Sequence, residues 1–213
     1  MPNSVMKVPK LPVALGETTD KAARKLGEAI MHFIGKIPQT TKHKASKPAL
    51  AAREIIKAAA TKAALTSGSL ALPIGPLGML TLIPDLVAVW KIQAQMVTDI
   101  AALYGKEAAL TREQMIYCLF RHLAAQAMRD VIVRAGERVL IRSISMGALQ
   151  TTANKIGVHV AQKLVGKSIS RWIPIAGALG VGAYAYYDTH QVAKTAMELF
   201  EQEIEVETAP EER

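Results

Sequence analysis

Apolar positions recur at helical spacing along most of the chain. Leu26, Ile30, Phe33 and Ile34 follow Thr18, Thr19 and Asp20 and lead to Gly35, which predicts a first helix starting near Thr18. Residues 36–47 break that pattern: they hold Pro38, Lys36, Lys42, His43, Lys44 and Lys47 with no acid, and read as a basic linker. Ser46 is placed to cap a second helix, with Pro48 in its first turn and an Ala-rich body from Ala49 to Leu65. A third helix is expected from Pro84 to Tyr104, stopped by Gly105. Thr111 and Gln114 frame a capping box that opens a fourth, with Met115, Leu119, Leu123, Ala127 and Val131 on one stripe. Residues 136–166 predict one or two more helices interrupted around Gly147, and a last helix spans about Ala176 to Glu203. No hairpin turn sits between alternating runs. The expectation is an all-α, compact bundle of about six helices.

Two segments depart from the amphipathic pattern. Residues 63–84 carry no charge, long enough for a membrane span. They also contain Pro73, Pro76, Pro84, Gly68, Gly75 and Gly78, which would leave backbone groups unpaired in a straight spanning helix. A kinked or hairpin-like apolar element fits better, whether buried, re-entrant or interfacial. Residues 172–187 are also uncharged and follow Lys167 and Arg171. They begin Trp172, Ile173, Pro174, continue through Gly177, Gly180 and Gly182, and end in Tyr184, Tyr186 and Tyr187. Aromatic rings at both ends with basic residues outside suit an interfacial belt. The small residues equally suit close helix packing in a protein core.

Charge sharpens this picture. The chain has 213 residues and a net charge of +8, from 26 Lys and Arg against 18 Asp and Glu. Residues 1–62 hold twelve basic and four acidic residues, whereas the last nineteen hold one Arg and seven Glu. A basic front attracts anionic lipid, nucleic acid or an acidic protein. Nucleic acid is disfavoured, because Phe33 is the one aromatic residue in that front and base stacking has no platform. Cys118 is the single cysteine, so no internal disulfide framework exists. Met1 to Leu15 shows no secretory pattern, so the expected location is cytoplasmic. Residues 1–48 read as a basic arm, first helix and linker, 49–200 as a helical domain, and 201–213 as an acidic tail.

Candidate chemistry is sparse. Asp85, Val89, Ile92, Met96 and Asp99 fall near one face of the third helix, and carboxylates on such a face need partners or water. Asp85 capping the helix start and Asp99 pairing with a basic residue is one reading; a cleft holding a cation or proton is the other. Residues 161–168 loosely match a phosphate loop with Ala161 replacing the first Gly, but Gln162, Lys163, Leu164 and Val165 favour helix, and Gly166 reads as a helix end. Cys118 and His122 make only an i,i+4 pair, short of a metal site. Ser67 and Ser69 lack the nucleophile elbow of a hydrolase. Neither a cofactor nor a metal is expected.

The run from Leu72 through Pro73, Ile74, Gly75 and Pro76 to Leu80, then Ile83, Pro84 and Asp85, Gln95 and Met96, and Asp99 to Tyr104 and Gly105 resembles the bacterial EcsC family. It is also similar to the helical membrane-associated domain that accompanies some bacterial GTPases. Pro174, Gly177 and Ala178 match the late segment of both groups. The resemblance, taken over about Ala49 to Phe200, implies an all-α bacterial protein linked to membranes, with no established reaction and a family name taken from an operon encoding an exporter. Together the residues point to binding, not catalysis, at the inner membrane's cytoplasmic side. Lys36, Lys42, Lys44, Lys47, Lys167, Arg171 and Trp172 are the expected contacts to anionic lipid, with a membrane protein as a possible partner. The competing expectations are an integral hairpin component of a transport system and an enzyme with a lipid-type pocket around Asp85 and Asp99.

Overall fold

A computed structural model describes residues 13–68, 78–129, 131–135, 138–141, 143–168 and 175–207. Six α-helices, α1 (Val13–Ile34), α2 (Pro48–Gly68), α3 (Gly78–Leu103), α4 (Arg112–Ala124), α5 (Met146–Ser168) and α6 (Ile175–Glu207), build an all-α bundle. Short 3₁₀ turns at Glu107–Ala109 and Ala125–Met128 flank α4.

Local chemistry explains several boundaries. The carbonyl of Lys47 accepts the first bond of α2, from the Ala51 N–H at 3.1 Å. Lys47 rather than Ser46 is therefore the N-cap, and Pro48 occupies the first helical position, where its missing N–H leaves no bond unmade. Thr111 and Gln114 form the reciprocal box expected of them: the Gln114 N–H donates to Thr111 Oγ1 at 3.2 Å and the Thr111 N–H to Gln114 Oε1 at 2.9 Å. Gly105, at φ 71°, ends the turn after α3. Its N–H and that of Lys106 reach back to Ala102 and Ala101 at 2.8 Å each, a left-handed cap that an L side chain resists.

Several boundaries differ from the pattern-based expectation. The stripe drawn through Ala127 and Val131 outruns α4, which ends at Ala124, with Ala127 in a 3₁₀ turn and Val131 beyond it. α1 begins at Val13, not near Thr18, and Glu17 and Asp20 lie on its exposed face while Ala22, Ala23, Leu26 and Ile30 are buried. α3 begins at Gly78, so Pro84 and Asp85 lie inside it rather than at its start. Residues 132–141 do not continue a helix. Strands β1 (Ile132–Ala135) and β2 (Arg138–Ile141) form a small antiparallel hairpin, pairing Ile132 with Ile141 and Ala135 with Arg138. Its four-residue arms are too short to show a period of two above the interleaved arginines. Gly147 accordingly sits in the first turn of α5, and Gly166 lies inside that helix rather than ending it.

α3 is the central helix and touches α1, α2, α4 and α6, while α1 packs along α5 and α2 along α6. Trp90, Met96, Val97 and Ile100 of α3 are buried, and the Trp90 ring meets Phe120 edge-on at 5.1 Å. α1 thus belongs to the same core as the rest. Among the described residues, Ile83–Leu103 is the one segment long and apolar enough to cross a membrane, and 61% of it is buried inside the bundle.

Candidate functional site

The expected motif on α3 separates into unrelated places. Pro84 is exposed and Asp85 partly buried, two turns into the helix, so Asp85 does not cap it. Burial alone pushes the Asp85 carboxyl above its ordinary value. Asp99 lies fourteen residues on, about 21 Å along the helix axis. The two carboxylates therefore share no pocket.

Asp99 fastens a strap. Thr40 Oγ1 donates to Asp99 Oδ1 at 2.6 Å, and Gln95 Nε2 donates to the same oxygen and to the Gln39 carbonyl at 2.9 Å each. Its partners are thus a hydroxyl and an amide, not the basic side chain expected. The Ala45 N–H donates to the Leu103 carbonyl at 2.9 Å, satisfying one of the orphan acceptors that end α3. Ile37 and Ala45 pack on the core, and a Cβ on Gly105 would meet Lys44 Cδ at 3.0 Å. Uncharged atoms do the anchoring. Lys36, Lys42, His43, Lys44 and Lys47 are left exposed, and among the described residues none of them joins an ion pair.

Met96 is buried, and Tyr104 is buried with its hydroxyl donating to Glu201 Oε1 at 2.8 Å. Burial, that bond and the Glu201 charge hold the Tyr104 phenol above its ordinary value. These residues close the bundle against the end of α6. Gly177 falls in the first turn of α6. Arg171, Trp172, Pro174 and the side chain of Lys167 lie outside the described residues. The loose phosphate-loop match, residues 161–168, is continuous helix in α5 and offers no loop of inward amides.

Sequence reasoning missed the most connected polar cluster among the described residues. Asp188 of α6 is buried and accepts from Gln93 Nε2 of α3 at 2.8 Å and from the Tyr184 hydroxyl, and its Oδ1 lies 2.6 Å from His122 Nε2 of α4. Gln93 Nε2 also reaches Thr189 Oγ1 at 3.2 Å, and Thr189 donates onward to the Ala185 carbonyl at 2.7 Å. Three helices thus converge on one carboxylate. A buried carboxylate persists only when several donors compensate its lost hydration, which this cluster supplies. Burial and the Asp188 charge push the Tyr184 phenol up to about 12.

Chemically the cluster orients an imidazole, holding His122 Nε2 against Asp188. His122 Nδ1 is buried without a hydrogen-bond partner among the described residues, so Cys118, one turn earlier and fully buried, does not pair with it. Two surface depressions, one along α2 beside Lys57, Lys62 and Leu65 and one between α1 and α5 beside Arg24 and Asn154, include neither His122 nor Asp188. The faint signal in the sequence was Asp188 itself, the first charge after a sixteen-residue uncharged run.

One described residue of each uncharged stretch lies in a common buried cluster. Ala63 of the first touches Ala185 of the second through Val89 of α3, with Ile92 packed beside them. Comparison with curated proteins and with solved structures found no match. The model of the EcsC protein family matches residues 10–202, taking in α1 and the lysine strap as well as the central block that carried the resemblance. The chain belongs to the EcsC family.

Proposed function

We propose that this EcsC-family chain is a non-catalytic, peripherally membrane-associated protein that binds anionic lipid on the cytoplasmic side of a bacterial inner membrane. The observation that carries this reading is the combination, in a chain of net charge +8, of two long uncharged stretches in the sequence, residues 63–84 and 172–187, with a strap of exposed lysines. Uncharged stretches in a basic chain suit a leaflet that is apolar inside and anionic outside. The strap adds support: Lys36, Lys42, Lys44 and Lys47 are exposed, and each basic residue near such a leaflet contributes about 1 kcal/mol. A link to transport or secretion would run through a membrane protein partner.

Fractionation of expressing cells tests this. Membrane-bound protein released by high salt or alkaline carbonate supports peripheral attachment; recovery in the cytosol alone overturns it. A second reading, an integral hairpin component, draws on the length and hydropathy of Ile83–Leu103. Retention through both washes would establish that reading instead. Recruitment by native membranes, but not by vesicles of pure lipid, would make a membrane protein the ligand.

A further inference from the structure

We infer that a second copy of the chain docks on the groove between α1 and α5, its own α1 running antiparallel across the first, in a two-fold dimer.

Small residues draw the two helices together. Gly157 of α5 lies against the backbone of Ala23 and Gly27 of α1, and a Cβ on Gly27 would run into Asn154 of α5. The depression beside this contact holds about 650 Å³ and is lined by Glu17, Asp20, Lys21 and Arg24 of α1 with Asn154 and Val158 of α5. All four charged side chains are exposed, whereas Ala23 beneath them is buried. Val158 is 44% exposed, an apolar side chain open to water beside those charges.

The order of the charges is self-complementary. Positions 17, 20, 21 and 24 fall within about 100° of arc on α1, so they form one stripe about 10 Å long. Along it the stripe reads acid, acid, base, base. Two acids and two bases leave it without net charge, so a headgroup layer or a nucleic-acid backbone, each of one sign, gains nothing from it. Glu17 with Lys21 and Asp20 with Arg24 stand at the spacing of pairs within a helix. Yet among the described residues none of the four joins an ion pair. A two-fold axis between positions 20 and 21 sets the stripe against its own reverse. Glu17 then faces Arg24 of the second copy and Asp20 faces its Lys21, and each pair occurs twice. Such self-complementarity is what an isologous interface requires. The charge pairs set register and orientation, and covering Val158 adds apolar burial.

Sedimentation equilibrium of the full chain without lipid tests this, with circular dichroism confirming that each variant keeps its helices. The wild type should be dimeric at about 10 μM, and its dissociation constant should rise with salt. The double variant Glu17→Lys, Asp20→Lys makes the stripe wholly basic and should weaken self-association by about tenfold or more. Lys21→Glu, Arg24→Glu makes it wholly acidic and should do the same. Mixed together, the two variants should form a one-to-one dimer, because opposite stripes now meet. A wild type that stays monomeric, a dimer that neither charge reversal weakens, or two variants that fail to associate on mixing overturns the assignment. These outcomes are read without a membrane, so they stand or fall apart from the proposed lipid binding.

Discussion

His122 and Asp188, sixty-six residues apart in the chain, place Nε2 and Oδ1 within 2.6 Å and so bind α4 to α6 in the core. Gln93 brings α3 to the same carboxylate. Removing the carboxylate leaves the His122 imidazole without its acceptor and the Gln93 amide with only the longer bond to Thr189. Asp188→Ala should therefore cost about 3–5 kcal/mol of stability, and Asp188→Asn less, because the amide keeps one acceptor oxygen. Urea denaturation measures both. A loss under about 1 kcal/mol in Asp188→Ala would mean the network contributes little.

Alkaline pH should weaken the fold through two phenols. Tyr184 has its pKa pushed up to about 12 and Tyr104 is raised as well, so the native state keeps protons that the unfolded chain releases from about pH 10. Stability from these groups is complete below pH 10 and falls as pH climbs towards 12. Denaturation midpoints of the wild type and of a Tyr104→Phe, Tyr184→Phe variant, taken between pH 9 and 11.5, should diverge, with the variant falling less steeply. Parallel slopes would contradict the assignment, since lysine titration is common to both proteins.

Among the described glycines, Gly157 marks a close approach of α5 to the backbone of α1. A Cβ on Gly157 would sit 2.5 Å from the Ala23 carbonyl oxygen and 2.9 Å from the Gly27 nitrogen, both main-chain atoms that cannot turn aside. Gly157→Ala should cost about 1–3 kcal/mol despite the better helix propensity of Ala. Gly180, in α6, meets nothing within 4 Å, so Gly180→Ala should stabilise by about 0.5–1 kcal/mol. Opposite signs for one chemical change, read by thermal unfolding, are the expected outcome.

Freeing the strap should be visible to a protease. Asp99→Ala removes the acceptor of Thr40 and Gln95, at a cost of about 1–2 kcal/mol, and should speed tryptic cleavage at Lys42 and Lys44 well beyond that at other exposed lysines. Uniform acceleration at all sites would indicate global destabilisation instead.

Asp85→Asn should leave stability unchanged or raise it, because burial raises the carboxyl pKa and its charged form is the costly one. Its contribution favours acid: it is present below the ordinary carboxylate pKa and lost as pH rises through the raised value. A clear loss of stability at neutral pH in Asp85→Asn would show a partner for the charge.

The sequence by itself determined what depends on neighbours a few residues apart. The stripe of Leu26, Ile30 and Phe33, the box of Thr111 with Gln114 and the glycine stop at Gly105 are all set by bonds or faces within one or two turns, and each is found in place. The family, too, was legible, because its central block is a local string. The tertiary structure alone decided how polar groups pair. The pattern predicts a cation for Asp99, whose partner is Thr40, fifty-nine residues away, and it sets His122 one turn from Cys118, whereas the imidazole pairs with Asp188. Periodicity gives the face on which a side chain lies, but not which helix packs there. That choice rests on how apolar faces and close-contact glycines such as Gly157 fit together, and no short window of sequence contains it.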